Sequence, residues 1–168
     1  MMSIKKVQLS ILLLFLVNVV AAQGKPTSSK ETATGKINGA TISINYGSPS
    51  VNGRQIWGAL VPFDQVWRAG ANDATTFETD KDVLIEGSKL PAGKYSFFII
   101  PNEKNCIVIF NKEAKQWGAY KYKATEDQLR VTVQPQTGSS VIEKLVYKVN
   151  TNSVVLSWEQ WNIPITIQ

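Results

Sequence analysis

Apolar and polar residues alternate with period two along much of the chain, as in strands that cover one face and wet the other. Residues 41–46 place Ile42, Ile44 and Tyr46 on one side, and residues 129–133 and 145–149 repeat the pattern. Val154, Leu156 and Trp158 form a further inward set, and Ile163, Ile165 and Ile167 a last one. Pro164 has no N–H to give a ladder, which predicts an edge or a strand start there. Residues 95–100, apart from Ser96, and residues 106–110 are apolar and predict strands covered on both faces. Asn52-Gly53, Glu86-Gly87, Pro101-Asn102 and Thr137-Gly138 suit chain reversals between these runs. Thr125 and Gln128 have capping-box spacing, enough for one helical turn. Many short strands with close turns predict an all-β fold, an antiparallel β-sandwich of Greek-key or jelly-roll type.

Pro91-Ala92-Gly93-Lys94-Tyr95 adds a local signature. Pro91 sets the first corner of a turn, Gly93 permits its exit, and Tyr95 opens an apolar strand. This is the pattern of a tyrosine corner, with the ring packed and the hydroxyl bonded to backbone.

The N-terminus breaks the strand pattern. Lys5-Lys6, a mostly apolar run of about 14 residues and then Ala21-Ala22 describe a secretory signal peptide, too short to span a membrane. Residues 1–22 are therefore expected to be a leader, and the protein to be exported to the periplasm or the medium. Residues 23–36 hold no apolar residue larger than Ala and predict a flexible linker, leaving 37–168 as the β-sandwich domain. Loss of Lys5 and Lys6 lowers the net charge from +5 to +3. The remaining Lys residues are scattered, so no nucleic-acid footprint is expected, and no membrane span in the mature chain.

Composition narrows the chemistry. There is no His, which removes Ser-His-Asp and Cys-His nucleophilic sites. With a single Cys, a zinc site and an internal disulfide are also unexpected, and no cofactor is implied. Cys106 lies in an apolar run and reads as a small buried hydrophobe. No Gly-x-Ser-x-Gly elbow or phosphate-cradling loop occurs.

Residues 46–77 look least like scaffold. They hold four of the eleven Gly, two Pro, Trp57 and Trp67, and two of the three Arg, Arg54 and Arg68. A long, weakly periodic stretch in a compact domain is usually functional or specially packed. Arg offers a flat, permanently charged fork for carboxylates, phosphates or sulfates. Arg54 and Arg68 are the expected charge-binding groups, Asn72 and Thr75 the orienting ones, and Tyr46 or Trp67 an apolar wall. Alternatively, the two Arg pair with Asp64, Asp73 or Glu78 and merely tie the segment down. Trp117, beside Gln116 and Gly118, is the expected exposed platform.

The same residues carry a resemblance. Tyr46-Gly47-x-Pro49, Gly53-Arg54-x-Ile56-Trp57-Gly58 and Val66-Trp67-Arg68-x-Gly70-Ala71-Asn72-x-Ala74-Thr75 closely resemble a family of exported bacterial proteins catalogued as domain of unknown function 2911. Pro91-Ala92-Gly93-x-Tyr95, Val108-Ile109-Phe110-Asn111 and Gln116-Trp117-Gly118 continue the match across the domain. Ser48 stands where Arg is expected in many relatives, so a third guanidinium is not carried over. The resemblance implies an exported β-rich domain and supplies no catalytic residue.

Three functions are compatible with this reading. One is a non-catalytic binding module for a small anionic or sugar-like ligand. Another is a hydrolase using two of Asp64, Asp73, Glu78, Asp80, Asp82 and Glu86 as acid and base, for which the two carboxyls must share a cleft. The last is an envelope structural or interaction protein with an exposed aromatic or edge-strand surface. The oligomeric state is open.

Overall fold

A computed structural model describes residues 28–168. The expected signal peptide and the first residues of the linker lie outside them. Ten strands account for most of the described chain: β1 (Ser29–Ile37), β2 (Ala40–Ser48), β3 (Thr75–Thr79), β4 (Val83–Ile85), β5 (Ser88–Leu90), β6 (Gly93–Ile100), β7 (Cys106–Asn111), β8 (Asp127–Val133), β9 (Gln136–Val149) and β10 (Ser153–Thr166). The expected helical turn is a single 3-10 turn, Ala124–Glu126. Among the described residues no helix is long and apolar enough to cross a membrane.

Every named strand pair is antiparallel. The larger sheet has the order β1-β2-β3-β6-β7-β8, a meander interrupted by the β4–β5 hairpin. The β9–β10 ribbon is the main part of the second layer, joined to β4 by a bridge between Ile85 and Ile167. Alternation fixes what lies between the layers: Ile42, Ile44, Phe77, Phe97 and Phe110 from the large sheet meet Tyr147, Leu156, Trp158 and Ile165 from the ribbon. The strands β6 and β7 are central and doubly covered, since Phe98 and Ile109 point away from the main core into a smaller cluster with Ala74, Val66 and Tyr122. The apolar runs expected of such strands are these two.

The chain departs from its expected boundaries in three places, one being Thr137-Gly138, expected as a reversal and found inside β9. Residues 29–36, expected to be flexible linker, form most of β1, paired along its length with β2 from Ser29↔Ser48 to Ile37↔Ala40. An edge strand is held by its ladder and needs little apolar periodicity, which is why its composition misleads. Residues 153–166, expected as two strands, are one. Register shifts around Glu159, whose φ is 55°, reverse the alternation, so that even-numbered Trp158 and odd-numbered Ile163 both face inward. Pro164 follows the last β9 pair, Asn162↔Gln136, where no ladder N–H is required. The Tyr95 hydroxyl donates to the Pro91 carbonyl at 2.9 Å, completing the tyrosine corner.

Candidate functional site

Between β2 and β3 the chain leaves the sheet for residues 49–74, and each half of this excursion is tied to a different layer. The first half docks on the ribbon. Val51 N–H donates to the Glu143 carbonyl at 2.8 Å, Leu145 N–H to the Pro49 carbonyl at 3.0 Å, and the Ser48 hydroxyl to the Leu145 carbonyl at 2.7 Å. Asn52-Gly53 forms the tip with positive φ at both residues, 49° and 66°. The Arg54 side chain folds back over this turn, donating from Nε to the Val51 carbonyl at 3.0 Å and from Nη2 to the Ser50 carbonyl.

The second half docks on the large sheet. Trp67 pairs with Ile99 of β6 through both backbone N–H groups, and Ala71 N–H donates to the Gly47 carbonyl of β2 at 3.2 Å. This approach needs both glycines: a Cβ on Gly47 would stand 2.2 Å from the Ala71 oxygen, and one on Gly70 2.9 Å from the Gly47 oxygen. Ala69 and Asn72 sit in the left-handed region, at φ 52° and 66°. For Ala this costs on the order of 1 kcal/mol or more. The Ala69 carbonyl is clamped by two hydroxyls, Thr75 at 2.9 Å and Tyr147 at 2.8 Å. Tyr147 N–H in turn donates to the Tyr46 hydroxyl at 3.4 Å, and the two rings meet edge to face. Burial pushes the phenols of Tyr46 and, far more, Tyr147 above their ordinary range, so both keep their protons at physiological pH, Tyr147 donating to Ala69 and Tyr46 accepting from the Tyr147 N–H.

A cleft of about 970 Å³ opens between the two halves, volume enough for a ligand of several rings. Among the described residues its lining carries three cations, Arg54, Arg68 and Lys144, and no carboxylate. Neither Arg is in an ion pair among the described residues; both bond only to backbone carbonyls, Arg68 from Nε to Gly70 at 3.3 Å. Trp67 and Trp158 supply the apolar side, stacked at 6.0 Å with an interplanar angle of 15°. Behind them Trp57 stacks on Trp161 at 4.5 Å. The indole N–H of Trp158 is buried with no acceptor among the described residues.

The far wall comes from the 112–123 loop. Gln116 Nε2 donates to the Asn111 side-chain oxygen at 3.1 Å, and Asn111 Nδ2 donates to Asp127 at 2.8 Å and to the Lys123 carbonyl at 3.0 Å. This buried hub holds Gly118 against the cleft, its N–H donating to the Asn72 carbonyl at 3.1 Å. A Cβ on Gly118 would lie 3.1 Å from Arg68 Nη1 and 3.0 Å from the Tyr120 ring, so the glycine makes room for the guanidinium.

The expected site residues therefore separate. Arg54, Trp67, Arg68 and Asn72 line one cleft. Tyr46 and Thr75 do not: both are buried beneath it, their hydroxyls spent on the clamp that shapes the loop. Sequence reasoning assigned neither Lys144 nor Trp158 to the site, because β9 and β10 are far away in the chain and both residues read as ordinary strand positions. The alternative pairing of Arg54 and Arg68 with Asp64, Asp73 or Glu78 does not occur: Asp64 accepts from Asn102, Asp73 meets Lys30 at 3.6 Å and Glu78 meets Lys94 at 3.3 Å.

The other candidate carboxylates serve turns. Asp80 accepts from Thr41 N–H, Asp82 from Ala92 N–H and Lys89, and Glu86 from Thr166 N–H. Hydrogen bonds from Thr41 hold the Asp80 carboxyl below the usual range, and those from Lys89 and Ala92 do the same for Asp82, the direction opposite to that of a general acid. None of the six lines the cleft. Burial pushes the Cys106 thiol up, away from nucleophilic use.

A family model described as "Protein of unknown function (DUF2911)" matches residues 28–167. No curated protein and no solved structure matches the chain.

Proposed function

Because the chain belongs to the family described as protein of unknown function (DUF2911), a description that supplies no activity, we propose its role from the cleft: a non-catalytic binding module for a small anionic ligand. The observation that carries this reading is the charge of the lining, three cations and no lining carboxylate among the described residues, with the neighbouring Glu143 carboxylate bonded to the Asn52 N–H at 2.9 Å. A guanidinium that bonds only to backbone carbonyls keeps N–H donors for a carboxylate or sulfate. Arg54 and Arg68 hold the charge from opposite sides, Lys144 adds a third positive group, Asn72 orients and Trp67 is the apolar wall. Tyr46 and Thr75 support the loop rather than touch the ligand. Export belongs to the same proposal, resting on the leader-like residues 1–22.

The test compares galacturonate, sulfate and inorganic phosphate with neutral galactose in thermal-shift titrations. At least one of the anions raises the melting temperature of the wild type, while galactose does not. Arg54→Ala and Arg68→Ala remove the rise and leave the unliganded melting temperature nearly unchanged. Collapse of both variants without ligand would make the arginines structural and end this reading. N-terminal sequencing of protein recovered outside the cytoplasm should begin at Gln23; a chain that retains residues 1–22 rejects the export half.

A further inference from the structure

The cleft does not close at its far wall. Tyr120 lines it and is 82% exposed, and Trp117, just outside, is 61% exposed. Trp117 is not on a loose tip. Its backbone pairs with Asp73 next to Asn72 of the lining, Ala74 N–H donates to the Gln116 carbonyl at 2.9 Å, and Gln116 and Asn111 are buried and bonded beneath it. The fold thus spends buried polar groups on holding an indole in water, where it gains nothing from burial. The same loop carries Lys112, Lys115, Lys121 and Lys123 against one carboxylate, Glu113, which accepts from the Lys115 N–H at 3.4 Å. Of these lysine side chains only that of Lys112 has a carboxylate partner among the described residues, Glu126 at 3.8 Å. Cationic character therefore continues from the cleft onto a surface bearing two presented aromatic rings.

Resting on the anion-binding reading of the cleft, we propose that the ligand is a chain, an acidic oligosaccharide. One charged sugar sits between Arg54 and Arg68, and the following sugars lie over Tyr120 and Trp117 with their acid groups facing Lys115 and Lys121. Sugar rings offer C–H faces to aromatic side chains and hydroxyls to amides, so rings flanked by cations and by Asn72 match alternating apolar and charged faces along one strand of polymer. An anionic membrane fits less well, because the exposed apolar groups here are separate rings set among lysines rather than a continuous patch.

Calorimetric titration of the full chain with galacturonate and with its linear hexamer decides the matter, with cellohexaose as the neutral counterpart. The hexamer binds the wild type about tenfold tighter than the monomer. Trp117→Ala reduces that ratio to near one while monomer affinity and melting temperature stay as in the wild type, and Trp117→Phe restores most of it. The proposal fails if the ratio survives Trp117→Ala, if the hexamer binds no tighter than the monomer, or if cellohexaose binds as tightly. It also fails if Trp117-dependent binding appears only with phosphatidylglycerol vesicles or with a single-stranded oligothymidylate. Monomer binding without a hexamer gain overturns this inference alone; absence of both overturns it too, and overturns the anion-binding cleft as well if sulfate and phosphate also leave the melting temperature unmoved.

Discussion

A methyl group added at Gly47 has no space, since 2.2 Å to the Ala71 oxygen is far inside van der Waals contact and both partners are backbone. Gly47→Ala must therefore lift the 66–74 segment off β2. We expect a loss of about 3 kcal/mol in urea denaturation, at the upper end of overpacking costs because no side chain can swing away. Tyr122 offers a test in the pH dimension. Its hydroxyl donates to Asp127 at 2.6 Å, and burial, followed by that bond, pushes its phenol up to about 12. An unfolded tyrosine ionises near 10.0. The protonated form is thus favoured by folding, and its contribution is whole below pH 10 and lost as pH rises through 12. Tyr122→Phe should be less stable than wild type at pH 8, by about 1 kcal/mol, with the gap narrowing between pH 10 and 12. A gap independent of pH would deny the hydroxyl that role. At this scale the sequence was half legible. Arg and Asn announce polar character by their chemistry, and four of the six expected residues line the cleft. Whether a hydroxyl faces ligand or backbone depends on the left-handed turn at Ala69, which residue type does not reveal: Thr75 and Tyr46 look like site residues and are its supports.

Elements show a different balance. Strands with a covered face could be read directly, because the core imposes period two on β2, β8 and the end of β9. β1 could not, because its hold on the fold is the ladder to β2 and its side chains are mostly exposed. The bulge at Glu159 was hidden for a related reason: the change from even to odd inward positions reads as a turn, and backbone geometry makes it one bent strand. The 112–123 loop is the element on which the far wall depends. It has few apolar contacts, and its order comes from Asn111, which is fully buried and bonded to Gln116, Asp127, Lys123 and the Glu113 N–H. Asn111→Ala deletes all of these at once. We expect it to cost about 2–3 kcal/mol and to raise amide exchange across residues 112–123 more than across β2 or β6. Equal acceleration everywhere would mean that the hub stabilises the whole sandwich rather than this loop.

The whole molecule places its positive groups on parts that fold onto different layers. Arg54 rides on a turn bonded to the ribbon, Arg68 on a loop bonded to the large sheet, and Lys144 on the ribbon itself. A ligand held by both arginines is a bridge between layers, so its binding energy must appear as coupling between them. At a concentration of one hundred times Kd, linkage adds about 2.7 kcal/mol to the stability of the folded state. Two consequences separate a bridge from adhesion to a single surface. Bound galacturonate or its hexamer should slow amide exchange in residues 50–62 and in residues 66–75 together. Arg54→Ala should remove protection from both segments, since a ligand that loses one anchor no longer spans the gap. Because the guanidinium groups lie at or near the surface, binding should also weaken steadily from low salt to 0.5 M, where the screening length falls to about 4 Å. Affinity indifferent to salt, or protection confined to one segment, would place the ligand on the tryptophan wall alone and leave the cations without a part in holding it.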